Sequence, residues 1–118
     1  GVVPSRDPGA GPPQARRFNQ EASQLSERLL VLTVSADLPY AQRRWCAAEG
    51  IERVLTLSDH FDMNFSSAYG AHVCEMRICQ RAVLVVDAHD VVRFADYVPV
   101  IGDEVDFDAA IASARALV

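Results

Sequence analysis

Leu29-Leu-Val-Leu-Thr-Val34, then Ser35-Ala-Asp-Leu-Pro-Tyr-Ala-Gln-Arg-Arg-Trp-Cys46-Ala-Ala-Glu-Gly50, then Val54-Leu-Thr-Leu57 is the stretch that decides the fold. The first piece is a nearly unbroken apolar run, which suits a strand buried on both faces of a parallel sheet. In the second, Asp37 can cap a helix, Pro39 is tolerated in its first turn, and Gly50 can close it in a left-handed conformation. Ala41, Trp45 and Ala48 are expected to face inward. The third piece is a short strand or strand end.

Upstream, Val2-Val3 is a short apolar stub. Residues 1–13 read as a loop, because the prolines and glycines of Pro4-Ser-Arg-Asp-Pro-Gly-Ala-Gly-Pro-Pro13 disfavour helix and strand interiors. Ala15, Phe18, Ala22 and Leu25 recur at helical spacing and predict an amphipathic helix from Pro13 to Glu27. Downstream, Asp59 is expected to cap a helix that puts Phe61, Phe65 and Ala68 on one face and ends at Gly70. Ala82–Val86 and Val91–Tyr97 flank the polar Asp87-Ala-His-Asp90 and predict a β-hairpin. From Asp106 to Leu117, Phe107, Ile111, Ala114 and Leu117 share one stripe. Strands alternating with helices and ending in an antiparallel pair define an α/β layered fold.

With 118 residues, half of them hydrophobic, the chain fits one domain over 1–118 with a core of its own. A net charge of -5, with basic pairs only at Arg16-Arg17 and Arg43-Arg44, argues against a nucleic-acid surface. No apolar run approaches the roughly 18 to 20 residues of a membrane span, and the N-terminus lacks the pattern of a signal peptide. A cytoplasmic location is therefore expected. Three cysteines do not build a disulfide framework, which leaves reduced thiols or one redox pair.

Several segments, taken in order, resemble the bacterial thiol peroxidases, the atypical two-cysteine peroxiredoxins. They are Arg16-Arg17-Phe18-Asn19-Gln20, the Ser35–Gly50 run, Thr56-Leu-Ser-Asp59, Ala68-Tyr-Gly70, Arg81-Ala-Val-Leu-Val-Val-Asp87 and Asp106-Phe-Asp-Ala-Ala110. The resemblance implies a thioredoxin-like fold, with helices on both sides of a mixed sheet. It also implies reduction of hydrogen peroxide and organic hydroperoxides with thioredoxin as reductant, a homodimer, and no bound cofactor or metal. It places Cys46 at the resolving cysteine and Arg81 at the arginine that stabilises the attacking thiolate.

The family's attacking cysteine lies in a Pro-x-x-x-Thr-x-x-Cys loop. The matching residues are Pro4, Pro8 and Gly11, so proline stands in place of threonine and glycine in place of cysteine. Glycine carries no nucleophile, and proline offers neither hydroxyl nor amide donor. The resemblance further implies N-terminal strands, one of them central in the sheet, for which only Val2-Val3 stands here. The sheet is then expected to have a central gap that rearrangement or another chain must close. Two functions stand at this point: an impaired thiol peroxidase, or a catalytically inactive thioredoxin-like binding module or relic.

Outside those positions the signals are weaker. Cys74, Cys79 and His72 are open to three readings: ordinary residues of a diverged loop, a relocated redox pair, or metal ligands. Their spacing fits no standard zinc pattern. His60 and His89 read as helix-start and turn residues, and Asp87 and Asp90 as turn residues. Trp45 reads as packing, and Cys46, on motif alone, as a small apolar residue.

Overall fold

The computed structural model describes residues 1–3, 11–25, 27–100 and 103–118. The predicted order is present, with one addition. Helix α1 (Gly11–Gln24) leads to strand β1 (Val31–Ser35), helix α2 (Pro39–Glu49), strand β2 (Val54–Ser58) and helix α3 (Asn64–Ala68). A two-residue-per-arm hairpin, β3 (His72–Val73) and β4 (Ile78–Cys79), precedes strands β5 (Ala82–Val86) and β6 (Val92–Tyr97), and helix α4 (Phe107–Ala116) ends the chain. The small hairpin escapes the sequence pattern because its arms are too short to show alternation.

β1 and β2 pair in parallel, Val31 with Val54 through Ser35 with Ser58. β5 and β6 pair antiparallel, with a bulge between Val85 and Val86. What joins the two pairs is Val2, bridged in parallel to Val34 and antiparallel to Ala82. Val2 N–H donates to Ala82 O at 2.7 Å and Ala82 N–H returns to Val2 O at 2.9 Å. Val3 N–H donates to Val34 O at 3.0 Å, and Val34 N–H to Gly1 O at 2.9 Å. The order is thus β2, β1, the Val2 stub, β5, β6, and the expected central gap is closed at one point by the stub itself. Beside the stub lies an apolar cavity of about 350 Å³ bounded by Leu32, Val34, Leu84, Val86, Phe18 and Phe65.

Alternation along β5 sorts the core into two layers. Val83 joins Phe18 of α1, Ala110 and Ile111 of α4, and Ile51, Val54, Val98 and Val105, with Trp45 and Cys46 of α2 packed alongside. Ala82 joins Val2, Met63, Ala71 and Cys79 on the other layer, with Phe65 and Leu84 against them.

Several local expectations are corrected. α1 begins at Gly11 and ends at Gln24, because Pro12 and Pro13 are compatible with a first turn. The N-cap of α2 is Leu38, with Pro39 following; the Asp37 carboxylate instead accepts from Ser35 Oγ at 3.0 Å. Gly50 does close that helix, at φ 66°. Ala48 is exposed, whereas Gln42 is buried, donating to Ser35 Oγ and Leu57 O, both at 2.9 Å. β1 is covered only in its C-terminal half, Leu30 and Leu32 remaining exposed. Phe61 is 91 % exposed and Ala68 is also outward. The buried face of α3 is carried by Met63 and Ser66 instead.

Asp59 supplies the cap expected of it, from a distance. Met63 is the N-cap residue by position, yet the Asp59 carboxylate accepts from Phe65 N–H at 2.9 Å, Ser66 N–H at 2.8 Å and Ser66 Oγ at 2.7 Å. Burial pushes this carboxyl up, but these bonds and the charge of His72 outweigh it, and its pKa falls below the ordinary value. The folded state therefore binds fewer protons than the unfolded one near pH 4, so Asp59's contribution is present above that range and is lost on acidification. Asp59→Asn is expected to cost about 1–3 kcal/mol at pH 7 and to flatten the fall in stability towards pH 3. Urea unfolding of both proteins at pH 7, 5 and 3 checks this, and parallel pH dependences would refute it.

Candidate functional site

Of the residues singled out in the sequence, Arg81 lies beside the Val2 stub, Gly11 at the start of α1 and Cys46 in α2. Because Val2 faces Ala82, the antiparallel register sets Val3 opposite Arg81. Arg81 is only 3 % exposed, and its carbonyl accepts from Val98 N–H at 2.9 Å. Burial pushes its guanidinium below the usual arginine range, while the charge of Glu104 pulls the other way. Gly11 opens α1. The fold thus sets Arg81 beside the stub. Pro4 and Pro8 lie outside the described residues.

α1 is held by the motif that carried the family resemblance. Arg16 Nε donates to Glu49 Oε2 of α2 at 2.7 Å. Arg17 donates to Asp108 Oδ1 at 2.8 Å and lies 5.6 Å over the Phe107 ring, both in α4. Phe18 meets Phe107 edge-on at 5.5 Å. Asn19 Oδ1 accepts from the backbone N–H groups of Glu52 and Arg53 at 3.2 and 2.8 Å. Four consecutive side chains therefore fix the helix against α2, α4 and the segment entering β2.

Cys46 sits in α2, half-buried, packed with Trp45 against the core layer that includes Phe18. Its carbonyl accepts from Gly50 N–H and Ile51 N–H, closing the helix. Trp45 is packing, as expected. All three cysteines are free. Cys79 is wholly buried, and burial pushes its thiol up to about 11, whereas Cys74 is exposed. Among the described residues no group of three or more His, Cys, Asp or Glu side chains is arranged to hold a metal ion.

The remaining candidates have local roles. Asp87 Oδ1 accepts from His89 N–H at 2.8 Å and Val91 N–H at 3.0 Å, and Oδ2 from Arg93 Nε at 2.6 Å. Asp90 turns the hairpin at φ 62°. His60 is exposed in the turn before α3. What the sequence pattern missed is the link from Ser67 to His72 and Cys74, two of them in a segment without periodicity. No helix among the described residues is long and apolar enough to cross a membrane.

Comparison with known proteins agrees with this architecture. Residues 10–111 match the family model described as Redoxin. A thiol peroxidase of Streptococcus sanguinis is 49 % identical over 116 residues, covering 98 % of this chain and 71 % of that protein. One of Bacillus subtilis is 46 % identical over 117 residues, covering 99 % and 70 %. The crystal structure of a peroxiredoxin-like protein from Aquifex aeolicus superimposes with a TM-score of 0.91 at 29 % identity, covering 99 % of this chain and 69 % of that one. The fold is the thioredoxin-like fold of redoxins. The chain belongs to the thiol peroxidase family within them.

Thiol accessibility provides a check on this geometry. A pKa near 11 leaves Cys79 with about a hundredfold less thiolate at neutral pH than its ordinary value of 9.0 would. N-ethylmaleimide at pH 7 is expected to modify Cys79 only after denaturation, as read by peptide mass spectrometry; native labelling would contradict the burial.

Proposed function

We propose that this chain is a thiol peroxidase-family protein whose direct peroxide-reducing step is disabled. The carrying observation is Gly11 at the first residue of α1, where the family resemblance expects the attacking cysteine. In the full reaction a thiolate attacks the peroxide O–O bond, becoming a sulfenic acid and releasing an alcohol or water. A second thiol then displaces water to form a disulfide, which a dithiol reductant reopens. The attacking thiolate needs a lowered pKa, supplied by a helix N-terminus and a cationic neighbour. Here the helix start and the buried Arg81 remain, and Cys46 remains in the resolving role, but the nucleophile is absent.

In this reading thioredoxin is the reductant, hydrogen peroxide or an organic hydroperoxide the substrate, the cytoplasm the location, and 1–118 one domain. A homodimer fits the exposed Leu55 and Leu57 on β2, an edge of the sheet, together with Leu38 and Tyr40 at the start of α2. The names of the relatives and their near-complete overlap with this chain support the family chemistry. The inactive-module reading is favoured by the same vacancy at Gly11 in a helix still anchored by Arg16, Arg17, Phe18 and Asn19.

Peroxide consumption in a thioredoxin-coupled assay, run beside a Pro8→Thr/Gly11→Cys double variant, tests the proposal. The natural chain is expected to show no turnover above background, and the variant to gain it. Turnover by the natural chain would overturn the disabled-peroxidase reading. Silence from both would favour the non-enzymatic one.

A further inference from the structure

At the stub, β1 and β5 stand one strand apart, because Val2 and Val3 reach Ala82 of β5 and Val34 of β1 at once. Alternation along each strand decides which backbone groups face the space between them. On β1, Ser35 O accepts from Asp59 N–H, directly after β2, at 2.8 Å, whereas Val34 exchanges bonds with the stub and Leu32 O accepts from the Gly1 nitrogen at 2.7 Å. The N–H of Leu32 therefore turns away from β2, on the side of the stub. On β5, Arg81 O accepts from Val98 N–H at 2.9 Å, whereas Ala82 exchanges bonds with Val2. The amide and carbonyl of Leu84, two residues on, point the same way as those of Ala82. Among the described residues no backbone group pairs with the Leu32 N–H or with the Leu84 N–H and C=O.

The apolar cavity beside the stub continues this slot and is lined from both sides of the sheet. Phe18 of α1 with Ile111 and Ala114 of α4 bound it on one side, and Phe65 and Tyr69 of α3 with Leu84 on the other. Among the described residues no Asp, Glu, Lys or Arg lines it. Leu30, Leu32 and Val86 are exposed at its mouth, so the slot opens to solvent. A hydrocarbon chain would match the side-chain lining but would leave the backbone groups of Leu32 and Leu84 dry and unpaired, which is costly. An extended peptide meets both demands. Its backbone bonds to the two walls, and its side chains alternate between the two apolar layers.

We propose that the slot between β1 and β5 is a docking site for an extended apolar peptide segment, held as an added strand parallel to β1 and antiparallel to β5. That orientation is the one the stub already adopts. Since Val2 faces Ala82, Gly1 falls opposite Val83, and the docked segment sets its last three residues opposite Leu84, Val85 and Val86. Both faces of the added strand are covered, so successive side chains at these positions must be apolar, unlike the alternating pattern of a half-exposed strand. A charge there would be buried without a partner. The N–H groups of the segment point in turn to β5 and β1, so each of them is needed.

The test is the fluorescence anisotropy of a labelled peptide, two lysines for solubility followed by Val-Leu-Val-Leu-Val amide, titrated with the intact chain. Saturable binding is expected, weakened about tenfold or more by N-methylation of two of the last three residues or by an aspartate at the middle one. Leu32→Glu, at a side chain already exposed, is expected to weaken it similarly, with circular dichroism to confirm folding. Amide hydrogen exchange read by NMR supplies a second readout on the natural chain. The peptide should slow exchange at Leu32 and Leu84 about tenfold or more and leave Val83, which pairs with β6, unchanged. Equal binding of the N-methylated peptide would overturn the proposal and point to mere apolar adsorption. Unchanged exchange at Leu32 and Leu84 would overturn it as well, and so would protection of both amides without peptide in a self-associated form seen by sedimentation.

Discussion

The structure depends on the backbone bonds of Val2. Among the described residues, this one position is bridged to both the parallel pair β1–β2 and the antiparallel pair β5–β6. Both strands would otherwise present unpaired buried amides and carbonyls at the centre of the sheet, an arrangement folded proteins avoid. The same bonds set the geometry of the candidate site. Pairing Val2 with Ala82 places Val3 opposite Arg81, while the Val2 side chain joins Met63, Ala71, Cys79 and Ala82 in one core layer.

The contacts that hold α1 in place lie along its first turns after position 11. Arg16, Arg17, Phe18 and Asn19 position α1 through bonds to Glu49, Asp108, Phe107 and the backbone before β2, and none of these contacts involves position 11. A glycine at the helix start is therefore compatible with the contacts that place the helix. Arg81 is buried next to the sheet's central bridge, and the family resemblance expects it to face a thiolate.

Much of this was legible from the residues because the signals were long or had one physical reading. The order of β1, α2 and β2, the Asp87 turn and the left-handed Gly50 all follow from local rules. The failures come from tertiary partners that periodicity cannot see. Gln42 is buried because Ser35 Oγ and Leu57 O satisfy its amide, and Phe61 is outside because Met63 takes the inner position. Asp59 caps α3 from outside the helix, a geometry set by the turn after β2. At the site, the identity of position 11 could be read directly. The burial of Arg81 could be anticipated from its place before β5, whereas the His72–Cys74–Ser67 contacts depend on how the hairpin docks on α3.

The measurement closest to the central claim is trapping of sulfenic acid on the reduced natural chain. One equivalent of hydrogen peroxide is added, a dimedone-type reagent follows within seconds, and each cysteine is assigned by peptide mass spectrometry. With no nucleophile at position 11, Cys46, Cys74 and Cys79 should all remain unmodified on this timescale. Rapid stoichiometric trapping on Cys46 would contradict the account, because it would show that Cys46 itself reduces peroxide.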